Sequence, residues 1–231
     1  MLLFSLSTAE QGASMALFED GALVCESYWA SRQTHSRRIL SMAEQMIETQ
    51  AGLTISDIDK FVGARGPGSF TGLRIGISVI KGLAYAGSKP CAGISSLDGV
   101  AYKFCNVDTP VCVMMDAKRN EVYSAVYQFN QGILTKKSEE MVCPPETAVD
   151  LAGPDALFVG SGSKAYKGMI IGRTNNQAVF SHSALDFVSA SALAQVALDK
   201  DSVFDSAEYL LTPVYLRKSD AEIHFSKKPQ S

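Results

Sequence analysis

Apolar and polar positions along this chain follow two periods, and each change of period marks an element. Leu2 to Leu6, Ala13 to Phe18 and Ala22 to Trp29 are short runs rich in apolar residues and read as three strands. Glu19-Asp20-Gly21 is a hairpin turn signal, because Asp and Gly accept the positive φ such a turn requires. The period then lengthens. Ile39, Met42, Ala43, Met46 and Ile47 form a stripe with Leu40 at its flank, which predicts a helix stopped by Gly52. Thr54-Ile-Ser-Asp57 has the form of a capping box with Asp in the last place and predicts a short helical turn.

Phe61 to Ala86 is the densest stretch. An apolar strand, Phe61 to Ala64, runs into the turn Gly66-Pro67-Gly68, and Ser69 or Thr71 opens a helix. Phe70, Leu73, Ile77, Ile80 and Ala84 line one face of that helix. Ile75, Val79, Leu83 and Ala86 lie away from it, with Gly72 and Gly76 between. A helix apolar nearly all round is covered on more than one side. The cover is either this chain's own sheet and a neighbouring helix, or in addition another chain. Lys89-Pro90 then breaks the chain, Cys91 to Ile94 reads as a strand, and Ser95 or Ser96 caps a helix through Phe104.

Residues 106–110 read as a linker, and the opening pattern returns after it. Val111 to Met115 is a strand, Ala117 to Asn120 a turn, Glu121 to Tyr127 an alternating strand, and a further strand begins at Ile133 after Gly132. Leu157 to Gly162 echoes Val62 to Gly68, an apolar run followed by a glycine turn. The expectation is an α/β protein of two duplicated βββαβα halves, 1–105 and 106–231, the second eroded. Actin-like, Hsp70-like and sugar-kinase-like folds are built on that plan, with a cleft between the halves. Ser189 to Leu198 predicts an amphipathic helix with no evident partner, and residues 226–231 are polar.

Composition narrows the class. The 231 residues are 46% hydrophobic and 19% charged, as in ordinary globular proteins. A net charge of −3 gives no basic footprint for gripping RNA with this chain alone. No apolar run reaches membrane-spanning length, and the first residues lack the basic region of a signal peptide. The five scattered cysteines form no C-x-x-C pair and read as reduced thiols of a cytoplasmic protein.

Candidate chemistry centres on the glycine turn. A strand, a glycine turn and a helix N-terminus can hold a phosphate through Gly66, Gly68, Ser69, Thr71 and Gly72. The same glycines equally suit a tight turn packed closely on another backbone. There is no Walker A lysine, and the G-x-G-x-x-x-G spacing is one residue longer than a dinucleotide fingerprint. Asp116, after the first strand of the second half, is either a carboxylate facing the cleft or a turn residue stabilising Ala117-Lys118. Lys118 and Arg119 read as hairpin tips. His35 has no second histidine four residues on, so no metal site is expected, and neither a Ser-His-Asp nor a Cys-His arrangement can be located.

The stretch GARGPGSFTGLRIGISVIKGLAYA resembles the signature of the bacterial TsaB (YeaZ) family in the glycoprotease-like M22 superfamily. LSTAEQGASMALFEDG, HSRRIL, MMDAKRNEVYSAVY and PVYLR extend that resemblance over most of the chain. It implies a non-catalytic subunit, not a protease, that binds TsaD while N6-threonylcarbamoyladenosine forms at position 37 of ANN-decoding tRNAs. TsaE and TsaC would act in the same pathway, and tRNA would be met through the complex. His35, Ile39, Met42, Met46, Phe70, Leu73, Arg74, Ile75, Ile77 and Val79 would form the partner interface, shared by a homodimer when the chain is alone. Ser7 stands where relatives generally carry Asp, which removes a carboxylate that could orient a metal-bound water or phosphate. The chain would have no cofactor of its own, with ATP or ADP held at the complex interface. The alternative class is a small kinase- or ATPase-like enzyme that uses the glycine turn and Asp116 around a nucleotide phosphate.

Overall fold

A computed structural model describes residues 1–30, 36–200 and 202–217. The first three strands are β1 (Leu2–Ser7), β2 (Ala13–Glu19) and β3 (Ala22–Trp29). Asp20 and Gly21 take φ of 49° and 82° in the tight turn between β2 and β3. Helix α1 (Ser36–Glu44) continues as a wider π-type turn through Gln50, and Gly52, with φ 68°, ends the segment. The Thr54–Asp57 capping box forms as expected around a 3₁₀ turn. Strand β4 (Lys60–Gly66), helix α2 (Phe70–Ala86) and strand β5 (Cys91–Ser95) follow, then a short α3 (Asp98–Ala101) prolonged by a 3₁₀ turn to Phe104. That last helix is shorter than expected. The Ser95 hydroxyl accepts the Leu97 N–H, so it closes the preceding turn and does not cap the helix itself.

The second half runs β6 (Val111–Lys118), β7 (Glu121–Asn130), β8 (Ile133–Lys137), β9 (Met141–Cys143), α4 (Pro145–Ala152), β10 (Leu157–Val159), α5 (Ser161–Ala165), α6 (Lys167–Arg173) and β11 (Val179–Phe180), before α7 (Ala190–Leu198). The first sheet has the order β3-β2-β1-β4-β5, and the second has β8-β7-β6-β10-β11 with β9 beside β7. Counting from the first strand of each half and setting β9 aside, both orders read third, second, first, fourth, fifth. In each, the first two neighbours pair antiparallel and the last two parallel. The duplication expected from the pattern is therefore present strand for strand. Erosion falls on the helices: where the first half has the long α2, the second has the short α5 and α6.

The boundary of the halves differs from the expectation of 106–231. Helix α7, whose partner the pattern did not reveal, packs on β1, β2, β4 and β5 of the first sheet. It takes the face opposite α2. Thr8 bonds to Gly72 of α2, whereas Ser14, the register partner of Ser7, accepts the N–H of Ala190 at the start of α7. Six of its nine residues are buried, each apolar, so α7 is a core helix and not an amphipathic surface one. Residues 207–214 then run beside β5 and the end of β4, where the Val214 N–H bonds to the Arg65 carbonyl at 2.7 Å. Residues 188–200 and 202–214 thus belong with the first half, whereas Arg217 reaches back to the second, where its guanidinium donates to the Ala117 carbonyl at 2.8 Å and pairs with Glu121 at 3.3 Å. One apolar cluster continues from Leu3, Phe61 and Leu73 through Val111, Tyr127 and Val159 to Leu193 and Leu211, so the halves share a core. A second cluster around Met114, Phe158 and Ile170 covers the outer face of the second sheet.

No helix among the described residues is long and apolar enough to cross a membrane. Cys25, Cys91, Cys105, Cys112 and Cys143 are free thiols.

Candidate functional site

Helix α2 is built from its N-cap outward. The Ser69 hydroxyl accepts the N–H of Gly72 at 3.3 Å, which decides between the two expected caps. The glycines ahead of it and within it are packed on backbone. The Ser69 N–H bonds to the Ala9 carbonyl at 2.7 Å, and the Thr8 hydroxyl donates to the Gly72 carbonyl at 2.7 Å. A Cβ on Gly68 would lie 2.4 Å from the Ala9 oxygen, and one on Gly72 would lie 2.1 Å from the Thr8 oxygen. Gly66 adopts φ 113°, and its Cβ would meet the Val214 carbonyl at 2.5 Å. Of the two readings of the turn, the geometry gives the close packing of one backbone on another. The turn packs on Thr8 and Ala9 of the β1–β2 loop (Thr8 to Gly12), and Thr71 is exposed beyond it.

Asp116 belongs to a different neighbourhood. Its Oδ1 accepts the Lys118 N–H at 2.8 Å and its Oδ2 meets Lys118 Nζ at 2.5 Å, so it stabilises its own turn. The glycine turn bonds instead to Ala9, Thr8 and Ser96. Lys118, Arg119 and Asn120 all take positive φ at the hairpin tip.

The residues expected at a partner interface separate into three groups. Ile39, Met46, Leu73 and Ile77 are buried in this chain's own core, Met46 at 1% exposure, and offer nothing to a partner in this fold. Helical periodicity placed them on one stripe correctly, but it could not say which molecule covers that stripe. Met42, Ile75 and Val79 lie half-buried at the core margin. Phe70 and Arg74 are exposed. The Phe70 ring stacks on Tyr215 with centroids 4.8 Å apart. The Arg74 guanidinium sits 3.9 Å over Phe70, and its Nε donates to the Tyr215 hydroxyl at 3.1 Å. Tyr85, 90% exposed, stands at the other end of α2, and Leu40 of α1 is also exposed. Arg38 and Lys81 join Arg74 as exposed cations on these two helices. The result is an aromatic and basic face on a helix whose remaining sides are committed to the core. His35 lies outside the described residues.

Between the halves lies a polar cluster that pattern reading did not find. Glu10 reaches from the β1–β2 loop, where its Oε1 accepts the Ser161 hydroxyl at 2.6 Å and its Oε2 accepts the Val188 N–H at 3.2 Å. Burial pushes its carboxyl above the ordinary range, against the lowering effect of those two bonds. Lys103 donates to the carbonyls of Leu185 and Phe187 and lies over the Phe187 ring, which stacks on Tyr28. Burial pulls its pKa down to about 8, although Glu10, Asp186 and Glu26 oppose the shift. A second bridge joins Asp98 of α3 to the Tyr127 hydroxyl and to Lys137, which also meets Glu140. Burial alone would lower the Lys137 pKa, but the two carboxylates outweigh it and hold it above its ordinary value. The available signal was an acid placed next to small residues after a buried strand, Ser7-Thr8-Ala9-Glu10, opposite the glycine echo at 160–162. Among the described residues no cluster of three His, Cys, Asp or Glu side chains could hold a metal ion.

Two sheets of the same strand order joined through a shared core define an actin-like α/β protein. Residues 29–225 match the family model described as "TsaD: tRNA N6-adenosine threonylcarbamoyltransferase". The tRNA threonylcarbamoyladenosine biosynthesis protein TsaB of Escherichia coli is 35% identical over 72% of this chain and 74% of its own length. The protein of that name from Haemophilus influenzae is 30% identical over 99% of this chain and 98% of its own length. The crystal structure described as YeaZ from Pseudomonas aeruginosa matches with a TM-score of 0.76 at 30% identity, covering 93% of this chain and 99% of that one. Within the class set by the TsaD model, this chain belongs to the TsaB (YeaZ) family.

Proposed function

We propose that this chain is a subunit of tRNA threonylcarbamoyladenosine biosynthesis and that it acts by docking a TsaD-type transferase, without chemistry of its own. The TsaB relatives carry the pathway in their names. The observation that carries the docking role is the exposed Phe70–Arg74–Tyr215 platform on α2, continued along the helix to Tyr85. Aromatic and arginine side chains on a rigid helix are favoured anchors of protein interfaces. Met42, Ile75 and Val79 would form the half-buried margin of the interface. Packing of the glycine turn on Thr8 and Ala9 supports a structural and not a phosphate-binding purpose for that turn. The buried Ser7 supplies no carboxylate at the end of β1. On this reading TsaE and TsaC complete the pathway, tRNA is met through the complex, and any ATP or ADP is held where the subunits meet. The free chain covers the same face with a second copy.

The test is size exclusion with light scattering on the chain mixed with TsaD from its own organism, together with a tRNA modification assay that omits this chain. A one-to-one complex and a dependent modification are expected. The Phe70→Ala/Arg74→Glu variant should remain folded and lose the complex by at least tenfold in affinity, as removal of a central anchor does. Undiminished co-elution of that variant would refute the assignment of the face. Failure of the wild type to co-elute, together with binding of ATP by the isolated chain, would favour the nucleotide-using enzyme instead.

A further inference from the structure

We infer that the β1–β2 loop mechanically couples the closure of the two halves to the N-terminal end of α2, the helix proposed above to carry the docking face. The loop contacts both regions through adjacent residues. Ala9 accepts the Ser69 N–H at 2.7 Å, and Thr8 donates to Gly72 at 2.7 Å. The next residue, Glu10, accepts the Ser161 hydroxyl at 2.6 Å and the Val188 N–H at 3.2 Å. Ser161 in turn accepts the Asp116 N–H at 3.1 Å, so the chain of bonds reaches β6 of the second half.

The loop has little room to absorb a displacement. Ala9 is buried, and Gly12 is confined by Tyr28 and the Trp29 carbonyl, each within 2.8 Å of where a Cβ would stand. On the α2 side, the Thr8 and Ala9 backbone lies closer to Gly68 and Gly72 than any side chain would allow. Tightly packed groups of this kind move together or exchange one packing for another, and do not deform gradually. A shift of Ser161 relative to the first half is therefore passed through Glu10 to Ala9, and from Ala9 to the Ser69 N–H and the start of α2. Phe70 and Arg74, which build the exposed platform, occupy the first and fifth positions of that helix. The coupling thus runs between the Glu10–Ser161 contact of the two halves and the docking face.

Hydrogen exchange on the full chain tests the coupling without any partner. Ser161→Ala removes one hydroxyl from the second half and touches nothing in α2. The Ser69 amide should exchange about three- to tenfold faster in this variant, the size expected for loosening by one lost hydrogen bond. Ser14→Ala is the control, since Ser14, at the start of β2 beside the loop, also joins the first sheet to returning residues through the Ala190 N–H but its hydroxyl bonds neither to Glu10 nor to the second half. It should leave the Ser69 amide unchanged. An unchanged Ser69 amide in Ser161→Ala, or an equal acceleration in Ser14→Ala, would overturn the inference. A second arm adds TsaD and rests on the docking reading. Binding should slow exchange of the Val188 amide in the wild type and should do so less in Ser161→Ala. If TsaD does not bind the wild type, the docking reading fails while the free-chain comparison still decides the coupling.

Discussion

The same substitution at two glycines of α2 should have opposite effects on stability. Gly72 and Gly82 are ten residues apart on one helix, and both would gain helix propensity on becoming alanine, worth up to about 1 kcal/mol each. At Gly82 a Cβ meets nothing within 4 Å, so Gly82→Ala should be stabilising by about 0.5–1 kcal/mol. At Gly72 the new Cβ would lie 2.1 Å from the Thr8 carbonyl oxygen, which is backbone and cannot swing aside. Forcing the two apart costs about 1–3 kcal/mol as overpacking. The bond from the Thr8 hydroxyl to the Gly72 carbonyl is disturbed as well, for about 1 kcal/mol more. After subtracting the propensity gain, Gly72→Ala should be destabilised by about 1–3 kcal/mol. At this chain length that lowers Tm by about 3–10 °C, whereas Gly82→Ala raises it by about 2–3 °C. Urea denaturation followed by circular dichroism, backed by scanning calorimetry, measures both variants. If Gly72→Ala is as stable as Gly82→Ala, the glycine turn is not packed on Thr8 and Ala9, and its glycines serve something else.

Two further expectations follow from buried polar groups. The Lys103 pKa is depressed to about 8 from 10.5, so its contribution to stability is present above 10.5 and is lost as pH falls through about 8. The wild type should therefore gain up to about 3 kcal/mol over Lys103→Met between those two pH values; parallel stability curves would show that Lys103 is solvated. The Ser5 hydroxyl is buried with no hydrogen-bond partner among the described residues, and Ser5→Ala should be neutral to about 1 kcal/mol more stable by the same denaturation assay. A loss above that size would show that Ser5 has a partner, such as a bound water.

What could be read from the sequence was what short-range pattern controls. The β2–β3 turn at Asp20-Gly21, the capping box at Thr54–Asp57 and the Ser69 cap depend on neighbours within a few residues. The strand duplication was legible because both halves keep the same order of apolar runs. Met46 and Ile77 show the limit: periodicity marks a buried stripe but not which surface buries it. The partner of α7 and the bridges from Glu10 and Asp98 are long-range contacts, with Glu10 and Ser161 separated by 151 positions. No local spacing encodes such a pair. Family resemblance supplied the expectation of an interface on α2, and the fold reduced it to the residues that solvent reaches.

The return of α7 and residues 207–214 to the first half has a consequence for how the protein is made. Chains emerge from synthesis in order, and domains normally fold as they appear. Here β1 to β5 emerge first, yet the face that α7 covers and the flank that Leu211 covers stay open until residues 188–217 arrive. The half that begins the chain is the last to be completed. A nascent chain stopped near residue 187 would present Ser5 and Ser14 together with Leu3, Ala16 and Phe18 of the same face as an uncovered sheet, a natural substrate for a chaperone. Supplying residues 188–217 as a separate peptide should close that sheet in trans.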